Sequence, residues 1–240
     1  MKSVLNRWPL GAVALALCVL VSGPAWTADN IGVAATVINK VEGVLDGNQR
    51  PIALDDSVFM SEVIRTGDAS GSQMRFIDDT HLHVGEKAEI ALDTMVFDPA
   101  DNTTQKMVVN MTLGMFRFIS GKLDKQNYEL RTPTVSLGIR GTTLVIRVAE
   151  DGSTEIEVEE GEATVTPPVG PPVTLGKGLF THVAPAASAQ APGAPSSGFM
   201  IAKARFNALM AAAGTSAPST RTQLASQASS SYESYEEGCE

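Results

Sequence analysis

The chain has 240 residues, 43% of them hydrophobic, and a formal charge of −9 at pH 7. That is enough apolar residue for a core of ordinary domain size. The charge excludes nucleic acid and anionic lipid surfaces as main partners, since both are held chiefly by positive charge. Two cysteines, Cys18 and Cys239, form no redox or zinc motif.

Lys2 and Arg7 precede an apolar run at 13–21 and a small-residue stretch, GPAWTADN, at 23–30. This is the order of a secretory signal peptide, expected over 1–28 with cleavage between 25 and 28. The run is short for a membrane span, so no stable span is expected once the leader is removed. Removing Lys2 and Arg7 takes the charge from −9 to −11 and leaves Cys239 without an intramolecular disulfide partner.

From 31 to 183 the apolar positions alternate in short pieces separated by turn residues. Met74 and Phe76, Leu82 and Val84, and Ile90 and Leu92 are divided by GDASG, IDDT and GEKA. Period two over such lengths predicts strands with one face to the core. Leu113, Met115, Phe116, Phe118 and Ile119 make a further apolar segment, and TEIEVEEGEATVTP at 154–167 alternates on both sides of a glycine turn. The domain is therefore expected to be all-β, either an irregular β-solenoid-like coil or a compact β-sandwich. Residues 184–198, rich in Ala, Pro, Ser and Gly, read as a flexible linker. A short helix is predicted over 199–213, with Ile201, Phe206, Leu209 and Met210 as its apolar stripe and as candidate interaction residues. The tail 214–240 has the composition of disorder.

TPTVSLGIRGTTLVI at 132–146 interrupts a strand pattern with Gly138, Arg140 and Gly141. It lacks the ending of a phosphate loop and does not open a helix. The glycines are expected to supply special backbone angles or close approach, Thr142 and Thr143 to satisfy a corner by hydroxyl bonds, and Arg140 to bridge that corner or to face a partner.

The series IRTGDASGSQMRF at 64–76, DDTHLHVGEKAEI at 78–90, LGMFRF and ISGK at 113–122, and the 132–146 element, in that order, resembles the all-β domain of the FecR family. The resemblance covers roughly 35–165 and makes Thr132, Pro133, Gly138, Arg140, Gly141 and Thr142 the structural motif. Family members that regulate sigma factors carry a cytoplasmic anti-sigma segment, a membrane helix, this periplasmic β domain and a further domain that receives a transporter. Here only a leader precedes the β domain, so the resemblance implies a stand-alone exported module: periplasmic, with extracellular or surface association as the alternative place.

Chemistry on the chain is sparse. His81 and His83 share a strand face but lack a converging third ligand, so no metal is assigned. No G-x-S-x-G elbow is present, and the adjacent pairs Asp55–Asp56 and Asp78–Asp79 read as solvated turn acids. The expected function is a non-catalytic sensor, adaptor or scaffold with no cofactor, whose partner is an envelope protein or cell-wall component. A component of a FecR-type sigma-factor pathway, and a wall- or polysaccharide-associated enzyme, are the alternatives.

Overall fold

The computed structural model describes residues 28–98 and 101–214. The expected leader, the tail, Cys18 and Cys239 lie outside these residues. Among the described residues fourteen strands are followed by one α-helix. The first seven are β1 (Asn30–Ile38), β2 (Val41–Leu45), β3 (Asn48–Pro51), β4 (Ser57–Phe59), β5 (Val63–Thr66), β6 (Gly71–Phe76) and β7 (His81–Val84). Two long strands follow, β8 (Glu89–Asp98) and β9 (Asp101–Ile119), and then β10 (Tyr128–Arg131). The last four are β11 (Ser136–Val148), β12 (Thr154–Thr166), β13 (Val173–Gly176) and β14 (Phe180–Val183), before helix α1 (Ser197–Gly214).

Local chemistry explains where the strands stop. Asp46 and Gly47, at φ 50° and 78°, form a two-residue turn that pairs Leu45 with Asn48. Such a turn needs positive φ at both central positions, which Asp tolerates and Gly prefers. Asp79, at φ 63°, turns the chain within the longer loop that joins β6 to β7.

Three long strands organise the fold because each pairs with different neighbours along its length. The first part of β9 pairs with β8 and, in parallel, with β10. Its last part pairs with β7 and β11. In β11, Ser136–Arg140 face the second half of β12, and Thr143–Val148 face its first half. β13 and β14 then cover the two halves of β12 separately.

At each change of neighbour the side-chain parity also changes. Leu137 and Ile139 point into the core, then Leu144, Ile146 and Val148 do. Ile156 and Val158 give way to Ala163 and Val165, and Met107, Val109 and Met111 give way to Phe116 and Phe118. Between the halves lie Gly141, Gly161 and Gly114, with φ of 59°, 81° and 109°. One extra residue at positive φ bends a strand and moves its inward set by one position. All these inward side chains join a single buried cluster, so the strands fold over it as two layers. β9–β10 is the one parallel pair among the described residues. This is the compact form of the two left open by the sequence, because stacked solenoid coils would pair in parallel.

Two expectations change. Gly138 has no positive φ, and a Cβ there would meet nothing within 4 Å, so the backbone requirement sits at Gly141 and at its neighbour across the pair, Gly161. The segment 184–198 is no free linker. Gly193 exchanges two backbone hydrogen bonds with Phe180, Gln190 N donates to the His182 carbonyl at 3.0 Å, and Thr181 Oγ1 donates to the Gln190 carbonyl at 2.7 Å. Ala and Pro content removed bulky side chains but left carbonyls free to bond along β14.

A Cβ on Gly161 would overlap the Gly141 carbonyl oxygen. Gly161→Ala therefore lowers stability by about 2 kcal/mol or more, or about 4–8 °C in Tm for a chain of this size. Gly138→Ala stays within about 0.5 kcal/mol. Thermal unfolding of the two variants side by side checks the corner; equal melting temperatures would contradict it.

Candidate functional site

The 132–146 element is a satisfied corner. Thr132 Oγ1 lies 2.8 Å from Thr154 Oγ1 and accepts the backbone N–H of Val135 at 3.1 Å, which closes the turn after Pro133. Thr142, 3% exposed, accepts the Arg140 N–H and donates to the Glu162 carbonyl, both at 3.0 Å. Its own N–H donates to Ser120 Oγ. Arg140 does not close this corner. Its side chain is 75% exposed and stands 3.9 Å from Glu162, which is also exposed, a separation at which a surface pair contributes little.

A second locked corner lies under the turn at 78–80. The sequence suggests that Asp78 is solvated, but it is fully buried. Its carboxylate accepts from the Thr80 N–H at 3.0 Å, the Thr80 hydroxyl at 2.6 Å and the Tyr128 hydroxyl at 2.7 Å. A buried carboxylate needs this many donors to offset the loss of water. Burial, together with the neighbouring Asp78 carboxylate, raises the Tyr128 hydroxyl well above its usual range, so it remains a donor. Asp79 turns outward and pairs with Lys122. Asp55 and Asp56 also serve a turn: Asp55 has φ 65°, and Asp56 Oδ2 accepts the Ala53 N–H at 2.8 Å.

The larger assembly is the seat of α1 on the outer face of the sheet. Ser196 Oγ accepts the Phe199 N–H at 3.1 Å and caps the helix start. Phe199 and Phe206, one heptad apart, are buried against Met115, Val145 and Phe180. Phe199 and Phe180 meet with their ring centroids 5.1 Å apart and their planes tilted by 59°. Gly71 and Gly85 pave the seat: a Cβ on Gly85 would come within 2.9 Å of the Phe206 ring, and one on Gly71 would overlap the Met210 methyl. The predicted stripe is therefore rotated. Phe206 is buried, Leu209 and Met210 are half-buried, and Ile201 is 59% exposed. Phe199, Ala202 and Lys203 face the sheet instead, because 3.6 residues per turn align 199, 203, 206 and 210. The signals were a serine three residues before Phe199 and the Phe199–Phe206 spacing.

Charge completes the seat. Arg117 donates to both oxygens of Glu159 at 3.0 Å, with its guanidinium 5.8 Å from the Phe206 ring centroid. Lys203 Nζ reaches Glu157 and Glu159, each at 2.7 Å. Burial pulls the Glu159 carboxyl upward, but Arg117 and Lys203 outweigh it and hold it below its ordinary value. Lys203 is the mirror case: burial lowers it, and Glu157 and Glu159 raise it further. Beside α1 runs a groove of about 860 Å³, floored by Leu113 and Val148, walled by Ile201 and Leu209, and rimmed by Lys87 and Glu150.

His81 Nδ1 accepts from Gln73 Nε2 at 3.1 Å, whereas His83 Nδ1 is buried and has no hydrogen-bond partner among the described residues. Burial, then the positive charges of Arg117 and His81, hold His83 down at about 4. Among the described residues no three His, Cys, Asp or Glu side chains converge as metal ligands.

Residues 62–164 match the family model described as FecR protein. The matched span contains the bend glycines Gly114, Gly141 and Gly161, the Asp78 lock and most of the seat's strands. Over that span the chain is similar to a FecR domain, a kind of domain that is non-catalytic and regulatory or signalling. No helix among the described residues is long and apolar enough to cross a membrane. No curated protein matches the chain. Two crystal structures of a candidate anti-sigma factor from Parabacteroides distasonis ATCC 8503 are similar at 15% and 14% identity, each with a TM-score of 0.46 over 58% of this chain. The matched region spans 62% of that protein's length. A structure described as a cell surface anchoring domain is similar at 24% identity over 25% of this chain and 82% of its own, with a TM-score of 0.25.

A histidine whose folded pKa lies below its ordinary 6.5 resists protonation when the unfolded chain does not. Its titration therefore costs no stability above pH 6.5, and stability falls as pH drops from 6.5 to about 4. His83→Gln flattens the melting-temperature profile across that window; a profile that keeps its slope would place the titration elsewhere.

Proposed function

We propose that the chain is a non-catalytic binding module of a FecR-type signalling pathway, working in the periplasm as the pathway's envelope-side part. The observation that carries this reading is the family match at 62–164, which falls on the core that the three long strands enclose. The leader-like segment 1–28 supports export. The polar groups argue in the same direction: Asp78, Tyr128, Thr142 and Glu159 are consumed in hydrogen bonds that hold the fold. What the surface offers is shape and charge around α1, suited to a protein partner.

The signalling role is tested by deleting the gene in its native bacterium and sequencing transcripts under envelope stress. The expected result is a change confined to a small co-regulated gene set. The wild-type gene restores it, and an export-blocked Leu17→Arg/Val19→Arg version does not. Unchanged transcription, or rescue by the export-blocked version, would overturn the reading. A broader adaptor role for envelope proteins or wall polymer predicts normal transcription with altered envelope integrity.

A further inference from the structure

We infer that the sheet face under α1 is a docking site for an amphipathic helix. α1 is its resident occupant, exchangeable with a helix of an envelope partner that carries two large apolar side chains seven residues apart and a basic residue between them. The inference deepens the proposed function and rests on it for where the partner resides; its chemistry comes from the seat.

Four observations carry it. First, α1 contributes nothing to the main core. Phe199 and Phe206 belong to a separate cluster with Met115, Val145 and Phe180, so the main core closes without a side chain from the helix. Second, the seat is shaped for a helix by the bare backbone at Gly71 and Gly85, which lets aromatic and methionine side chains approach the strands. Third, its charge is unbalanced without an occupant. Arg117 already closes a double hydrogen bond with Glu159 on the sheet, while Glu157 meets only Lys203 among the described residues. The vacant seat therefore calls for one cation on the incoming helix, at the position Lys203 holds between the two phenylalanines.

Fourth, α1 fits the seat imperfectly and is hinged. His83 Nδ1, beside Arg117, stays without a partner, and Met200 and Ile201 are left 48% and 59% exposed. The chain is pinned to β14 at Gly193, and Ser196, which caps the helix, also donates to Glu155 Oε1 at 3.3 Å, so Ala194 and Pro195 separate the strand-bonded segment from the cap. Release of α1 swings one element away and leaves the pins on β14 unchanged. Helix-in-groove recognition by anchors on successive turns is the matching mode.

The test uses a fluorescent peptide of residues 196–214 as the partner helix, titrated by anisotropy against the full mature chain. Wild type binds weakly because α1 competes. Lys203→Glu and Phe206→Ala in the chain weaken only the resident helix and leave the seat intact, so each binds the wild-type peptide at least tenfold more tightly. A peptide carrying Lys203→Glu does not bind. Amide exchange over 199–212 reports release of α1, and the melting curve reports the β body; if Phe206→Ala unfolds the body, Lys203→Glu decides alone. Failure of the released chain to bind the peptide overturns the inference, as does a wild-type dimer in sedimentation with its helices exchanged between copies. Because only purified components are used, this can fail while the transcript test succeeds, and the reverse.

Discussion

Everything in this molecule depends on three strands changing faces partway along their length. A strand alternates its side chains with period two, so a long strand can serve two layers over one core only if one residue is added where it bends. Gly114, Gly141 and Gly161 do this in neighbouring strands, and two of them face each other so closely that the Gly141 carbonyl fills the space of a Cβ on Gly161. The bends bring Phe116 and Phe118 into the same buried cluster as Leu130, Leu137 and Val165. Short strands then attach to edges that the long ones define.

Polar groups hold the corners where strand pairing cannot. Asp78 ties its turn to Tyr128, Thr142 ties β11 to β12, and the fully buried Glu62 accepts from Arg50 and from the Phe59 N–H at the far edge. Each replaces lost water with donors at fixed geometry, so removing one partner leaves an unmet buried group. The seat of α1 has the same chemistry with one difference. Three of its charges, Arg117, Glu157 and Glu159, sit on the sheet and one, Lys203, on an element outside the main core, so the same ion pairs that stabilise the closed form also set what can replace it.

Much of the strand architecture was legible along the chain. Met74, Phe76, Leu82, Val84, Ile90 and Leu92 are all buried as their alternation requires. The acids were harder to read. Asp78 and Asp79 look alike as neighbours in a turn, yet one accepts three hydrogen bonds in the interior and the other pairs with a surface lysine. Which of two adjacent carboxyls turns inward depends on Tyr128, fifty residues away. The helix was visible and its inward face was not, because α1 is apolar nearly all round and the sheet beneath it selects the stripe.

By itself the sequence determined an all-β body, its turns and a helix after it, because periodicity and turn residues are local properties. Tertiary structure alone decided that the glycines at 114, 141 and 161 act together, that 184–193 lies along β14, and that Phe199 and Lys203 anchor the helix. These are relations between residues far apart in the chain, and only the packed sheet brings their atoms within bonding distance.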